Sequence, residues 1–437
     1  MNIALAKTEK ADVAGANFAS VLAAQPDSGK VGDARRRAFD QFQLIGLPHR
    51  RIEDWKYTDL RALMREVLPI APAPDAGTLA RAEAAVNLHA IDGVRRLVLV
   101  DGTLSAELSD LSGLEQGLSI RSLRDALAAG DERLLSLGTA DPMVALNTAL
   151  MTDGVVIEVA DGAKLAQPLH IVHVAASGAT SASFTRSLIQ IGNDAAATVV
   201  ESYVAGEGAG TYQVHDAAVI SIGDGARLDH VRLVEDARDA FNIAAAEVRV
   251  GTRAHYGVVG INTGSLVSRY SSTVTIAGEH AHVETNGVNL LNGTQHADTT
   301  LVMNHDVPHC VSREGFRAVA DDRGHSVFQG RINVRQPAQQ TDAKMMTRAL
   351  LLSDEAEADN KPELEIFADD VTCGHGAAIG ALDDQLLFYL RARGLPEKEA
   401  EALLIQAFVG EAIEAIADDN LRALAIAAAE RWLAARG

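Results

Sequence analysis

One pattern recurs along the middle of the chain and restricts the fold more than any other feature. I-E-V-A-D-G-A at 157–163 returns as I-Q-I-G-N-D-A at 189–195, I-S-I-G-D-G-A at 220–226, V-R-V-G-T-R-A at 248–254 and V-T-I-A-G-E-H at 274–280. The copies start 32, 31, 28 and 26 residues apart. Each is an alternating β-branched strand, a Gly/Asp/Asn turn, then Ala and a second strand. A period of roughly 20–50 residues with one supersecondary unit per copy means a solenoid. A unit of strands and turns without helices makes it a parallel β-helix. No rung buries its own apolar side chains, so stacking must make one continuous core. Aromatics are only 4% of the 437 residues, so that core is built mostly from Ala, Val, Leu and Ile.

The flanks are different, and they divide the chain into 1–150 (mainly helical), 151–380 (the β-helix) and 381–437 (helical). Residues 1–30 carry little pattern and are expected to be mobile. Asp33 to Leu44 reads as a helix stopped by Gly46 and Pro48. R-I-E-D-W-K-Y-T-D-L-R-A-L (51–63) is dense in charge around Trp55 and Tyr57, and a helix end packing on the next layer is favoured there over a binding role. Residues 69–79 form a Pro-rich break, Arg96–Val100 a short strand, and 120–150 a mostly helical stretch. Beyond the β region, Pro396 starts a helix whose Ala400, Leu403, Leu404, Ala407 and Phe408 share helical spacing. A second helix runs from about Asp419 to Ala435. Both open ends of a β-helix present unpaired strand edges, so the helical flanks are expected to cap the rod. The C-terminal pair at its tip reads either as a cap alone or as a docking site for a partner.

Chemistry concentrates at the end of the β region, in E-L-E-I-F-A-D-D-V-T-C-G-H (363–375). On an extended strand Cys373 and His375 point the same way. A thiol beside an imidazole suits iron, zinc or an iron–sulfur cluster, or a thiolate activated by a base. By spacing alone, a buried structural cysteine beside an ordinary histidine is the commoner arrangement. Twelve of the fourteen histidines fall between His170 and His375. In V-P-H-C (307–310) the His and Cys are adjacent and diverge on a strand, and no C-x-x-C occurs, which argues against a closed zinc site. Asp321–Asp322 and Asp369–Asp370 are the candidate carboxylate pairs of a β-helix carbohydrate-active enzyme, but neighbours on a strand diverge.

Other function classes are excluded. Net charge is −20, from 39 Lys and Arg against 59 Asp and Glu, which opposes nucleic acid or anionic membrane as partner. Two cysteines make no disulfide framework and fit a reducing compartment. M-N-I-A-L-A-K-T-E-K lacks the plan of a secretory signal, and no apolar run approaches the ~18 residues of a membrane span. The chain reads as soluble and cytoplasmic. There is no G-x-x-x-x-G-K-[ST] loop and no G-x-S-x-G elbow, so no nucleotide is expected on this chain.

Taken together these residues carry a resemblance. T-R-A-L-L-L-S-D-E-A-E-A-D-N-K-P-E-L-E-I-F-A-D-D-V-T-C-G-H-G-A-A-I-G (347–380), continuing D-D-Q-L-L-F-Y-L-R-A-R-G-L (383–395), closely resembles the SufB/SufD family of the Suf iron–sulfur cluster assembly machinery, on its SufD side. H-D-V-P-H-C-V-S-R-E (305–314), R-I-E-D-W-K-Y-T-D-L (51–60) and D-P-M-V-A-L-N-T-A-L (141–150) match it too. The resemblance implies a right-handed parallel β-helix with helical ends, acting as a non-catalytic scaffold subunit. It implies pairing with a SufB-like paralogue through the β-helix and binding of a SufC-like ABC-type ATPase by the C-terminal helices. A transient cluster would be built there from persulfide sulfur and iron, with reduced flavin as electron source in the complex. Cys373 and His375 match the family's Cys-x-His at the paralogue interface, His375 being favoured as the iron or cluster ligand. Leu403, Leu404, Ala407 and Phe408 fall in the partner-binding helix. SufB-type sequences have a cysteine just before the segment matching 350–353 and E-H-E where this chain reads C-G-H. T-R-A-L (347–350) has no cysteine, so the main sulfur acceptor is missing. Two ligands cannot close a cluster that ordinarily takes four, so a partner must supply the rest.

Overall fold

Strands that are apolar on both faces cannot stand as a single layer in water, and here they coil into two stacked parallel sheets. The computed structural model describes residues 14–24, 29–135, 137–138 and 140–436. Three short strands begin the sheets: β1 (Arg95–Val100), β2 (Thr103–Leu104) and β3 (Leu118–Ser122). Eight rungs follow, each giving one strand to each sheet. The first four are β4 (Val155–Val159) with β5 (Leu169–Ala175), β6 (Ser181–Ile191) with β7 (Ala196–Ala205), β8 (Tyr212–Ile222) with β9 (Arg227–Glu235), and β10 (Phe241–Val250) with β11 (His255–Asn262). The last four are β12 (Val267–Ile276) with β13 (His282–Leu291), β14 (His296–His305) with β15 (Val311–Ala320), β16 (His325–Val334) with β17 (Asp342–Leu351), and β18 (Glu357–Ile366) with β19 (Thr372–Gly380). Even strands from β4 to β18 form sheet A, ended by antiparallel β3; odd strands from β5 to β19 form sheet B, continued by β1 and β2. Strand exceeds helix, 40% to 26%, so the fold is a mainly β solenoid with helical terminal regions, as the repeat predicts.

The five sequence copies fall in register. Ile157, Ile189, Ile220, Val248 and Val274 are successive partners across sheet A, all buried in the lumen between the sheets. Their column continues through Met303, Ile332 and Leu364, on rungs whose turns have lost the Gly-Asp pattern. Many of the turns place one residue in the left-handed region, including Asp194 (φ 53°), Arg253 (φ 52°) and His309 (φ 61°). Their N–H groups donate to the next rung, Asp194 to the Asp224 carbonyl at 2.7 Å and Arg253 to that of Glu279 at 2.8 Å, which offsets the backbone strain.

The helices correct one expectation. Instead of sitting on the tip of the rod, the C-terminal helices lie along its side. α1 (Gly15–Ala24), α2 (Lys30–Ile45), α3 (Leu60–Leu63), α4 (Ala76–Leu88), α5 (Leu123–Ala128) and α6 (Pro142–Leu150) precede the rungs, and α7 (Asp384–Ala392), α8 (Glu397–Ile413) and α9 (Asp419–Ala435) follow them. Phe39, Phe42 and Leu146 of α2 and α6 cover the outer face of sheet A at Phe184 and Ile243. α4 covers the first strands of sheet B, and α8 and α9 cover Val231, Val259 and Val288 farther along. The cause is in the strands: the outer face of sheet B carries an apolar patch of Val231, Leu233, Val259, Ile261, Val288 and Leu290, which needs burial.

Smaller differences follow the same local logic. α2 begins at Lys30, a little before the expected Asp33, and stops at Gly46 (φ 71°). α4 occupies part of the stretch read as a Pro-rich break, and 120–150 contains the end of β3 besides α5 and α6. Of the unpatterned first thirty residues, 1–13 and 25–28 lie outside the described residues. Trp55 packs as the sequence favours: it is buried, its Nε1 donates to Asp141 at 2.9 Å, and the Arg269 guanidinium stacks 3.9 Å from its ring. Replacing Ile220 by Ala in the middle of the lumen column should lower the unfolding free energy by about 2–5 kcal/mol. Chemical denaturation reads this; no measurable loss would mean that the column is not the core.

Candidate functional site at the open end

A stack of rungs must stop somewhere, and the last one has no successor. β18 and β19 are the terminal strands of their sheets, and among the described residues nothing pairs with their far edges. The inward residues of β17, Ala343, Met345, Thr347 and Ala349, are buried beneath β19. Their partners on β19 are Cys373, His375, Ala377 and Ile379, none of them buried. Cys373 sits opposite Ala343 and His375 opposite Met345, so the two share the lumen side of the last strand.

The environment decides between the readings that spacing leaves open. Cys373 is half-buried against the lumen core. Burial pushes its thiol above the ordinary value, a hydrogen bond with the Ala343 backbone acts against this, and the carboxyls of Asp342 and Glu314 add to the rise. An activated thiolate needs the opposite shift, so that reading loses its support. The fully buried structural cysteine is Cys310, whose Sγ lies 3.2 Å from the Pro308 carbonyl and 3.4 Å from that of Gly278. His375 is exposed. Below it in the same column, beneath Met345, lies Glu314, buried and without a hydrogen-bond partner for either oxygen. Burial pushes its carboxyl up to about 8, with Ser312 and Arg313 easing ionisation only in part. Nearby His305 is pushed down to about 4 by burial, its Nε2 3.0 Å from the Ser312 hydroxyl. At neutral pH the layer beneath the pair is therefore largely uncharged.

Among the described residues no three His, Cys, Asp or Glu side chains gather into a metal-holding group. The other sequence candidates are occupied elsewhere. His309 is exposed on a turn while Cys310 is buried, so V-P-H-C diverges. Asp321 pairs with Arg436, and Asp322 accepts from the Gly293 N–H at 2.9 Å. The Asp370 N–H is tied to Gln339.

The C-terminal helices divide the predicted docking residues. Leu403 and Ala407 are exposed, Leu404 and Phe408 half-buried, and Arg317 lies 5.6 Å from the Phe408 ring centre. The stripe that packs on sheet B is Ile405, Val409, Ala412 and Ile413, with Phe408 partly buried against it; of the predicted stripe Ala400 is fully buried, while Leu403 and Ala407 face outward. α7 has no buried residue, and its Phe388 is 74% exposed, with Leu386 and Tyr389 also open. Phe367 and Ile379 at the open end are exposed as well. Sequence reasoning missed these; L-L-F-Y-L (386–390), apolar all round, was the available signal.

The fold and site define a β-solenoid protein with a thiol and an imidazole side by side on its unpaired last rung and an unburied apolar helix beside it. Comparison with known proteins makes the class specific. Residues 173–408 match the family described as "SUF system FeS cluster assembly, SufBD core domain", and residues 19–171 match "SufBD protein N-terminal region". An iron–sulfur cluster assembly SufBD family protein of Synechocystis is 32% identical over 87% of this chain and 86% of its own. The iron–sulfur cluster assembly protein SufD of Escherichia coli is 30% identical over 87% of this chain and 88% of its own, and a SufBD family protein of Mycobacterium tuberculosis is 28% identical over 89% of each. The chain belongs to the SufBD family of iron–sulfur cluster assembly proteins. Among the described residues no helix is long and apolar enough to cross a membrane.

The two cysteines should differ in reactivity. At pH 7–8 Cys373 should alkylate more slowly than a free thiol, gaining rate as pH rises toward its elevated pKa, while Cys310 stays unmodified until the chain unfolds. Peptide mass spectrometry after iodoacetamide treatment separates them; equal labelling of both in the folded chain would contradict the burial described.

Proposed function

We propose that this chain is a non-catalytic scaffold subunit of a Suf-type assembly complex, with the nascent iron–sulfur cluster as its cargo. The observation that carries this reading is the open last rung, which leaves His375 exposed and Cys373 half-buried beside unpaired strand edges. A paralogous solenoid docking there would satisfy the edges of β18 and β19 and cover Phe367 and Ile379. It would also supply the ligands that two side chains cannot provide. His375 serves as the ligand for iron or cluster, and Cys373 as a second ligand or an interface thiol. The SufC-like ATPase docks on the apolar surface of α7 and α8, at Phe388, Tyr389, Leu403 and Ala407, with Leu404 and Phe408 behind them. Reduced flavin, as electron source, belongs in this reading to the assembled complex. Two unpaired cysteines fit a reducing compartment such as the cytoplasm. The absence of a cysteine in T-R-A-L (347–350) favours the SufD-like role over the sulfur-accepting one.

The test is anaerobic co-purification of the tagged chain with its SufB-like and SufC-like partners, reading mass and iron per complex. The reading expects a three-component assembly that takes up iron and sulfide only when all are present; a chain that stays alone and iron-free would overturn it. In that complex His375→Ala should weaken iron retention by at least about tenfold, since even outer partners of metal ligands are worth ~10–100-fold. The paralogue should remain bound, and wild-type iron content would remove His375 from the site. Leu403→Asp combined with Phe388→Asp should weaken ATPase binding by about 2 kcal/mol or more while leaving the solenoid pairing. Undiminished binding in a titration would refute the placement.

A further inference from the structure

The lumen is not filled evenly. In one inward column of sheet B the register runs Glu201, Arg232, Gly260, Gly287, Phe316. Two consecutive rungs therefore lack a side chain between a guanidinium and a phenyl ring. A Cβ on Gly260 would meet no atom within 4 Å, whereas one on Gly287 would strike the Phe316 ring at 2.7 Å. The result is a chamber of about 60 Å³ open to the centres of water molecules, walled by Arg232, Tyr256 and Tyr270 toward one end and Phe316 toward the other. Phe316 packs on Phe328 with ring centres 4.4 Å apart, which closes that side.

The walls carry hydrogen-bonding groups that nothing in the protein answers. Thr285 Oγ1 and Asn262 Oδ1 are buried without a partner. Half-buried Tyr270 adds a hydroxyl that makes no hydrogen bond among the described residues, while its ring stacks 3.8 Å from the Arg232 guanidinium. Burial pushes that phenol up to about 12, so it stays a donor. Arg232 itself is neutralised by Glu201 at 2.7 Å and donates to the Tyr203 hydroxyl at 3.0 Å, so the chamber presents no free charge to an ion. Buried donors and acceptors of this kind are ordinarily met by ordered water.

We propose that the chamber is an internal hydration site holding a cluster of about four water molecules, at ~15 Å³ of centre space each, bound by Tyr270, Asn262 and Thr285. The waters occupy the space left by Gly260 and Gly287 and link the buried polar network of Glu201, Arg232 and Tyr203 to the second half of the solenoid. This inference is independent of the proposed cellular role.

Two substitutions that remove a single oxygen test it without crowding the site. In a dry void, Thr285→Val would relieve an unpaired buried hydroxyl and Tyr270→Phe would remove one that no protein group answers, leaving the thermal midpoint of the full-length chain unchanged or higher. In a hydrated chamber each removes an anchor of the cluster, and the midpoint should fall by about 1–3 °C. Crystals of the full-length chain under xenon pressure provide the second measurement, because xenon enters dry apolar cavities. Hydration expects no xenon in the chamber and water density on Thr285 and Asn262. Unchanged or raised midpoints, or xenon beside Gly260, would overturn it.

Discussion

Every rung of this protein hydrogen-bonds in parallel register to the one before it, and most of what the molecule is follows from that constraint. Parallel pairing forces the chain to return to the same edge after each strand, so two sheets grow together around one lumen. A residue then meets its counterpart from the previous copy, as Ile189 meets Ile157 and Ile220. Errors in such a column accumulate along the rod. Hence the aligned residues stay apolar and close in size from Ile157 to Ile332 even as the surrounding turns change.

The same constraint produces the site. A stack of this kind cannot satisfy its final edge, and the chain leaves β18 and β19 uncovered instead of folding its terminal helices over them. Those helices are taken up by the flank of sheet B, where Val231, Val259 and Val288 demand burial and Arg317 and Arg348 grip Glu411 of α8. Cys373 and His375 thereby lie at an end where the lumen meets the exterior. The layer beneath offers the thiol no positive charge: Glu314 and His305 are both neutral there, and burial holds the Cys373 thiol protonated. An incoming metal ion would have to displace that proton.

The pair itself was legible in the sequence, because side-chain alternation needs only a strand, and T-C-G-H sits on one. Its exposure was not, since that depends on where α7 to α9 go. The stripe expected from helical spacing shows the limit more sharply. Ala400, Leu403, Leu404, Ala407 and Phe408 have helical spacing, yet Ile405, Val409 and Ile413 face the sheet. A helix apolar on both flanks does not declare which flank its neighbour will take. The glycines of the lumen were equally silent: Gly260 and Gly287 look like strand interruptions until register places them one above the other.

By itself the sequence determined the solenoid, through a period that only stacked strands satisfy, together with its acidic surface and the thiol–imidazole pair near the end of the β region. Tertiary structure alone decided that the helices lie along the rod and not on its tip, that the last rung stays open, and that two glycines align into a chamber. The difference is physical. Periodicity and alternation are local properties that each segment carries within itself. Coverage, edge exposure and cavity alignment arise from competition among distant segments for the same apolar surface, which no single stretch of the chain encodes.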